Sequence, residues 1–408
     1  MEVSTDDREP LRPAEDLAAP DNIGRGSPEA VAIAPVERPS TMVPPWAGSK
    51  PGFALRPSRE SHPRDSRVYA ALDLGTNNCR LLVARPSRRG FQVVDAFSRI
   101  IRLGEGVGTT GCLSEAAMSR TIDALKVCAA KMRRHNVVRS RLVATEACRV
   151  AKNGPEFISR VSRQLGLEID ILSREDEARL AVSGCATLLD DRSDLALVFD
   201  IGGGSSELVW LDLTRRRRSW RRSLGDRLDA MNCIAAWTSL PVGVVTLAER
   251  YGGRQLTAAG FEAMVDTVLE LLAPFEAKHC FKAQVERGRA HLLGTSGTVT
   301  TMAGIRLGLP RYDRNRVDGC WLDAAEARAI TYDLLARSHE QRVAEPCIGK
   351  DRADLVLAGC AILEGLLRMW PAKRLRVADR GLREGMLATM MAEDGCYRAF
   401  DRRARRPN

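Results

Sequence analysis

Two stretches decide the fold: YAALDLGTNNCRLLVA at 69–84 and LALVFDIGGGSSELVWL at 195–211. In each, an apolar run ends on an aspartate, a turn rich in small residues follows, and a second apolar run returns. The first turn is Asp73-Leu74-Gly75-Thr76-Asn77-Asn78, and the second is Asp200-Ile201-Gly202-Gly203-Gly204-Ser205-Ser206-Glu207. Both read as strand, tight turn, strand. Glycines there let backbone N–H groups converge on an anion with no Cβ in the way, and the hydroxyls of Thr76, Ser205 and Ser206 are candidate further donors. An acid beside such a cradle suits a divalent cation that neutralises phosphate charge. Two such hairpins, each opening an α/β segment, predict two similar lobes facing one phosphate site.

The segments around them keep that rhythm. Val68–Leu72, Arg80–Ala84 and Phe91–Phe97 read as three successive strands. Ser114 caps a helix to about His135, with Met118, Ile122, Leu125 and Ala129 at helical spacing. Arg141–Thr145 reads as a strand, Asn153-Gly154-Pro155-Glu156 starts a helix, Leu167–Leu172 is a strand and Glu175–Leu189 a helix. Three hairpin-linked strands followed by helix, strand, helix and strand is the order of a ribonuclease H-like lobe. The order restarts at Leu195, continues with a strand at Leu240–Val245, and ends in helices to about residue 392. The expected divisions are a disordered tail over 1–67, lobes over 68–190 and 191–392, and a basic tail over 393–408.

Composition narrows the class. The 408 residues are 44% hydrophobic, ordinary for a globular chain, and no apolar run approaches the roughly 20 residues of a membrane span. The start, MEVSTDDREP, has no apolar core of a secretion signal. The 11 cysteines are scattered singly with no C-x-x-C pair, as expected of reduced thiols in cores, which points to the cytoplasm. Residues 1–67 hold 11 of the 19 prolines and no sustained hydrophobic period, so that segment is expected to stay disordered. It carries nine basic and eleven acidic residues, so the rest of a chain of net charge +10 stands at +12. A basic body suits polyanionic partners. Arg215–Arg218 with Arg221 and Arg222 form a cluster that either steers a long polyanion or is a solvated loop.

The motifs together resemble the exopolyphosphatase/guanosine-pentaphosphate phosphohydrolase family, within the actin–sugar kinase–heat-shock-ATPase fold. The likeness covers about residues 68 to 390. It is carried by DLGTNNCRLLVA (73–84), ATEACRVAKN (144–153), SREDEARLAVSG (173–184), DIGGGSSEL (200–208), SLPVGVVTLAERYG (239–252), GTSGTVTTMAG (294–304), DRADLVLAGCAILEG (351–365) and DRGLREGML (379–387). Members often carry a further C-terminal helical lobe, sometimes of the HD metal type. The chain ends too early for it, and none of its five histidines precedes an Asp, so a two-domain form is expected.

The resemblance implies two ribonuclease H-like lobes around an interlobe cleft and a set of site residues. Glu177 is the implied base for water, although Glu175 and Asp176 are adjacent acids. Arg149 is expected to face the phosphates, with Arg80 a weaker candidate. Gly75, Thr76, Asn77 and Asn78 would form one phosphate cradle, and Gly202, Gly203, Gly204, Ser205 and Ser206 the other. Gly294, Thr295, Ser296, Gly297 and Thr298 would lie on the nucleoside or substrate side. Asp73, Asp200 and Glu207 would hold Mg²⁺, which takes only one or two carboxylates and keeps several waters. The implied activity is release of terminal phosphate from inorganic polyphosphate, with guanosine pentaphosphate the alternative substrate. A small-molecule kinase or a non-catalytic sensor of the same fold is more distant. No DNA or membrane partner is expected, and the reading leaves room for a homodimer.

Overall fold

The computed structural model describes residues 66–87, 90–190, 192–215 and 230–397. The expected tail over 1–67 therefore lies outside the described residues except for its last two positions. The same holds for Arg216–Arg218, Arg221 and Arg222 of the basic cluster; Arg215 is exposed and pairs with Asp212 at 2.9 Å.

Two sheets carry the molecule. The first contains β1 (Tyr69–Leu74), β2 (Asn78–Ser87), β3 (Gly90–Ile100), β4 (Arg139–Ala144) and β5 (Asp170–Ile171), in the order β3-β2-β1-β4-β5. The second contains β6 (Leu195–Ile201), β7 (Ser206–Asp212), β8 (Ile234–Leu240), β9 (Ala290–Thr295), β10 (Trp321–Asp323) and β11 (Arg374–Ala378). Its order is β10-β11-β9-β6-β7-β8. Without the short edge strand β10, the sequence β8-β7-β6-β9-β11 repeats the first sheet's pattern. In both, the first two strands are antiparallel and the fourth runs parallel to the first. This duplicated order is the ribonuclease H-like pair of the actin-like fold.

Because β1 and β6 are central and covered on both faces, their residues are apolar almost throughout. Helices Glu115–Arg134 and Gly154–Leu165 cover the outer face of the first sheet, burying Ile122, Leu125, Phe157 and Val161. Helices Ala258–His279, Gly297–Arg306 and Val356–Met369 do the same for the second sheet. Two helices fill the space between the sheets. Arg174–Cys185 turns Ala178, Val182 and Cys185 toward the second sheet and Leu180 toward the first. Leu382–Glu393, although last in sequence, packs Met386, Leu387 and Met390 against Tyr69, Leu82 and Val143 of the first.

The expected Ser114-capped helix is present, with Ser114 Oγ accepting from the Ala117 N–H at 3.2 Å. The expected strand at Leu240–Val245 is not: β8 ends at Leu240, and Val244–Tyr251 is a helix. Pro241 cannot extend the ladder. The β-branched run that imitates a strand instead donates Val244 and Val245 N–H to the carbonyls of Gly202 and Gly203, at 3.0 and 2.8 Å. Of Leu167–Leu172 only Asp170–Ile171 pairs, and the helix expected to reach Leu189 ends at Cys185 before a 3-10 turn. Strands β10 and β11 interrupt the region expected to be helical. All eleven cysteines are free thiols, eight of them buried.

Candidate active site

The two hairpins reproduce one turn. Gly75 N–H donates to the Asn78 carbonyl at 2.9 Å, and Gly202 N–H donates to the Ser205 carbonyl at 2.9 Å. Their tips meet across the cleft: a Cβ on Gly203 would lie 2.9 Å from Thr76 Cβ, and one on Gly204 2.9 Å from Thr76 Oγ1. Only glycine tolerates that approach. A cavity of about 140 Å³ runs between them, lined by Gly75–Asn78, Gly202–Ser205, Glu177 and the two aspartates.

Asp73 stands opposite Arg80 across the β1–β2 ladder, and Asp200 opposite Glu207 across β6–β7. At equivalent positions one lobe thus presents a cation and the other an acid. Burial pushes the Asp73 carboxyl above its ordinary range, against the pull of Arg80 and Arg383. Burial also raises Asp200, to about 6, with Arg80 opposing and Asp73 adding. Glu207 is raised to about 7, chiefly by burial; the hydroxyls of Ser205 and Ser239, donating to its Oε1 at 2.6 and 3.0 Å, oppose the rise.

Glu177 lies in the cleft wall. Burial raises its carboxyl well above the ordinary 4.5 and the Glu207 charge adds to this, while Arg149 pulls it down. Arg149 Nη2 donates to Glu177 Oε2 at 3.0 Å. The two adjacent acids are engaged elsewhere: Glu175 pairs with Arg179 at 2.8 Å, and Asp176 accepts from the Ser173 capping hydroxyl at 2.8 Å. Of the three consecutive acids, the one that lines the cleft is Glu177.

Other candidates are placed differently. Arg149 lies behind the wall, its guanidinium held by Glu146, Glu177 and the Leu172 carbonyl. Ser205 Oγ donates to Glu207, and Ser206 Oγ donates to the Val242 carbonyl at 2.7 Å, so both hydroxyl protons are committed within the protein. Gly294 is a packing glycine, where a Cβ would sit 2.5 Å from Phe199 Cζ, and Thr295 Oγ1 donates to the Arg380 carbonyl at 2.9 Å. Ser296, Gly297 and Thr298 do reach the cleft. Ser296 holds φ +114°, strained backbone of the kind that clusters at functional sites, and its buried hydroxyl has no partner among the described residues. Arg80 lines the cleft, as do Glu146 and Arg352, which sequence reasoning missed although their segments, ATEACRVAKN and DRADLVLAG, had been singled out. A second cavity of about 510 Å³ opens beside the first, sharing Asp73, Asp200, Ser296 and Gly297 and adding Tyr312 and Arg314.

Asp73, Asp200 and Glu207 do not assemble as one cation site: among the described residues no three His, Cys, Asp or Glu side chains are gathered to hold a metal. Glu207 is turned into the wall by its two hydroxyl partners. Asp73 and Asp200 do face the cleft, and the side-chain oxygens of Asn77 and Asn78 are buried there without partners among the described residues. Two half-buried carboxylates and two acceptors without a partner among the described residues fit a hydrated cation. Raised carboxylates are protonated in the folded state and ionised in the unfolded one just above the ordinary carboxylate range. The contribution of these groups to stability is then present in full below the ordinary carboxylate range and is lost as pH rises through the folded values of about 6 and about 7. We expect the melting temperature without divalent cations to fall across that interval, and Mg²⁺ to reverse the fall at neutral pH. A flat, Mg²⁺-independent melting profile would contradict the placement.

Fold and cleft together define a two-lobed protein of the actin-like class, with two glycine-rich turns facing one cleft. The chain belongs to the Ppx/GppA phosphatase family, whose family model matches residues 82–394. It is 30% identical over 329 residues to a guanosine-5'-triphosphate,3'-diphosphate pyrophosphatase of Photobacterium profundum, an alignment spanning 80% of this chain and 60% of that protein. The chain thus spans about 60% of the length of the curated relatives it matches. Among solved structures, the Aquifex aeolicus member of the family is 26% identical with a TM-score of 0.62, over 80% of this chain and 98% of that one. An exopolyphosphatase from Cytophaga hutchinsonii shares the fold at 23% identity and a TM-score of 0.69, over 80% and 98% of the two chains. No described helix is long and apolar enough to cross a membrane.

Proposed function

We propose that the chain is a metal-dependent phosphohydrolase that releases terminal orthophosphate from inorganic polyphosphate, with Glu177 as the base. The observation that carries this reading is a glutamate carboxylate, raised well above its ordinary value by burial and fixed by Arg149, in the wall of a cleft built from two phosphate-type turns. A base is most effective with a pKa near the working pH. Glu177 takes the proton of a water whose oxygen attacks the terminal phosphorus. The bridging P–O bond breaks, and its electron pair stays on the shortened chain. Backbone N–H groups of the turns hold the phosphoryl oxygens, and Arg80 and Arg352, which line the same cleft, supply positive charge. Mg²⁺ held by Asp73 and Asp200 would neutralise phosphate charge there.

Guanosine pentaphosphate is the second reading. It is supported by the names of the curated relatives and by the 510 Å³ cavity, which leaves room for a nucleoside beside the phosphates. The test is phosphate release by the purified protein with Mg²⁺, offered polyphosphates of several lengths, guanosine pentaphosphate and ATP. Turnover of polyphosphate is expected. Release from guanosine pentaphosphate alone selects the second reading, and release from none of them, or ATP use only with an acceptor, overturns both.

A further inference from the structure

Glu146 opens the short helix Glu146–Val150 that follows β4, and its carboxylate is only 8% exposed. Three elements converge on it. Its Oε2 accepts from Arg149 Nε and Nη2 at 2.9 and 2.7 Å. Its Oε1 accepts from Nη2 of Arg174, the first residue of the helix that carries Glu177, at 2.7 Å. From the opposite lobe the second hairpin closes on it: a Cβ on Gly204 would lie 3.1 Å from Glu146 Cγ.

The same Arg149 Nη2 that bonds Glu146 also bonds Glu177. Its Nη1 is tied to the Leu172 carbonyl, so the guanidinium plane is fixed at three points. Two carboxylates and two guanidiniums alternate as Glu177, Arg149, Glu146 and Arg174. Burial alone would raise the Glu146 carboxyl, yet the bonds from Arg174 and Arg149 leave it below its ordinary value, so it stays ionised and holds both. Glu177, by contrast, has one cationic partner among the described residues, Arg149, and as the base must keep an oxygen for water.

We propose that Glu146 is a positioning residue for the reaction: it holds the Arg149 guanidinium, which fixes the Glu177 carboxylate against the cleft. This rests on Glu177 being the base. It gives Arg149 the task of aiming that base, in place of binding phosphate.

The test uses the full chain with Mg²⁺ and polyphosphate. Glu146→Gln keeps the shape and removes the charge that anchors Arg149. A base displaced by about an ångström loses on the order of 10²-fold in rate, so kcat should fall by about that factor while KM stays within about twofold. Arg149→Lys retains one charge but cannot bridge both carboxylates in a fork, and should show the same split. The double variant should be no slower than the slower single one, because both act through one carboxylate. A Glu146→Gln enzyme with wild-type kcat, a loss confined to KM, or additive losses in the double variant would overturn the proposal. If Glu146→Gln does not fold, the KM–kcat split of Arg149→Lys decides. A wild-type protein that turns over no phosphoanhydride substrate refutes the hydrolase reading instead, so the two failures are distinct.

Discussion

Glu177→Gln should lower kcat by about 10²–10⁴-fold, the usual contribution of a general base, while polyphosphate still binds. The amide keeps the size of the carboxylate and can still accept from Arg149, so the wall and both turns retain their geometry. Removing a buried ionisable group also removes its desolvation cost, so the variant should melt no lower than the parent. Glu175→Gln and Asp176→Asn are the controls. Their carboxylates face Arg179 and Ser173, and turnover should change little. The pH profile gives a second reading of the same group. Activity requires ionised Glu177, so it should fall as pH drops through a value well above the ordinary 4.5, because burial and Glu207 hold the proton on. A Glu177→Gln enzyme with near-normal kcat would remove the residue from the mechanism.

Much of the cleft was legible because glycine-rich turns after an aspartate are local features. The chemistry of DLGTNN and DIGGGSS is set by a few consecutive residues, and both turns close with the same hydrogen bond. What stayed hidden depends on partners distant in sequence. Ser205 and Ser206 look like donors to phosphate until Glu207 and the Val242 carbonyl take their protons. Arg149 reads as a phosphate ligand until Glu146 and Glu177 occupy its fork. The run Val242–Val245 has the composition of a strand, and only its bonds to Gly202 and Gly203 make it the start of a helix. Glu146 gave no signal beyond its place in ATEACRVAKN, since an acid at a helix start is ordinarily explained by the helix dipole.

Register also separates the two lobes in a way composition does not. The hairpins are alike, yet the residue facing the turn's aspartate is Arg80 in one and Glu207 in the other. The duplicated fold thus places a cation and an acid at equivalent positions on the two sides of one cleft, and an extended anion meets unlike walls.

The helix that carries Glu177 owes its place to a crossing of backbones, and Gly385→Ala should show it. A Cβ on Gly385 would lie 2.1 Å from the Leu180 carbonyl oxygen, and one on Gly184 would lie 1.9 Å from the Gly381 carbonyl oxygen. Each glycine of one inner helix thus receives the backbone of the other, and backbone atoms cannot rotate aside as a side chain would. Alanine favours a helix by about 1 kcal/mol over glycine. Against this, forcing a methyl into a closed contact costs about 1–3 kcal/mol and occasionally more. At contacts this short the steric cost wins, so Gly385→Ala and Gly184→Ala should both lower the melting temperature. Gly108→Ala supplies the contrast: its helix is short, and the nearest atom to a new Cβ is Glu249 Oε2 at 3.9 Å. That variant should melt at or slightly above the parent. Separating the two inner helices also moves Glu177 away from the hairpins, so the destabilised variants should lose kcat below their melting range. Gly385→Ala and Gly184→Ala proteins that melt and turn over like the parent would show that the inner helices part without cost, and the crossing would no longer explain where the base sits.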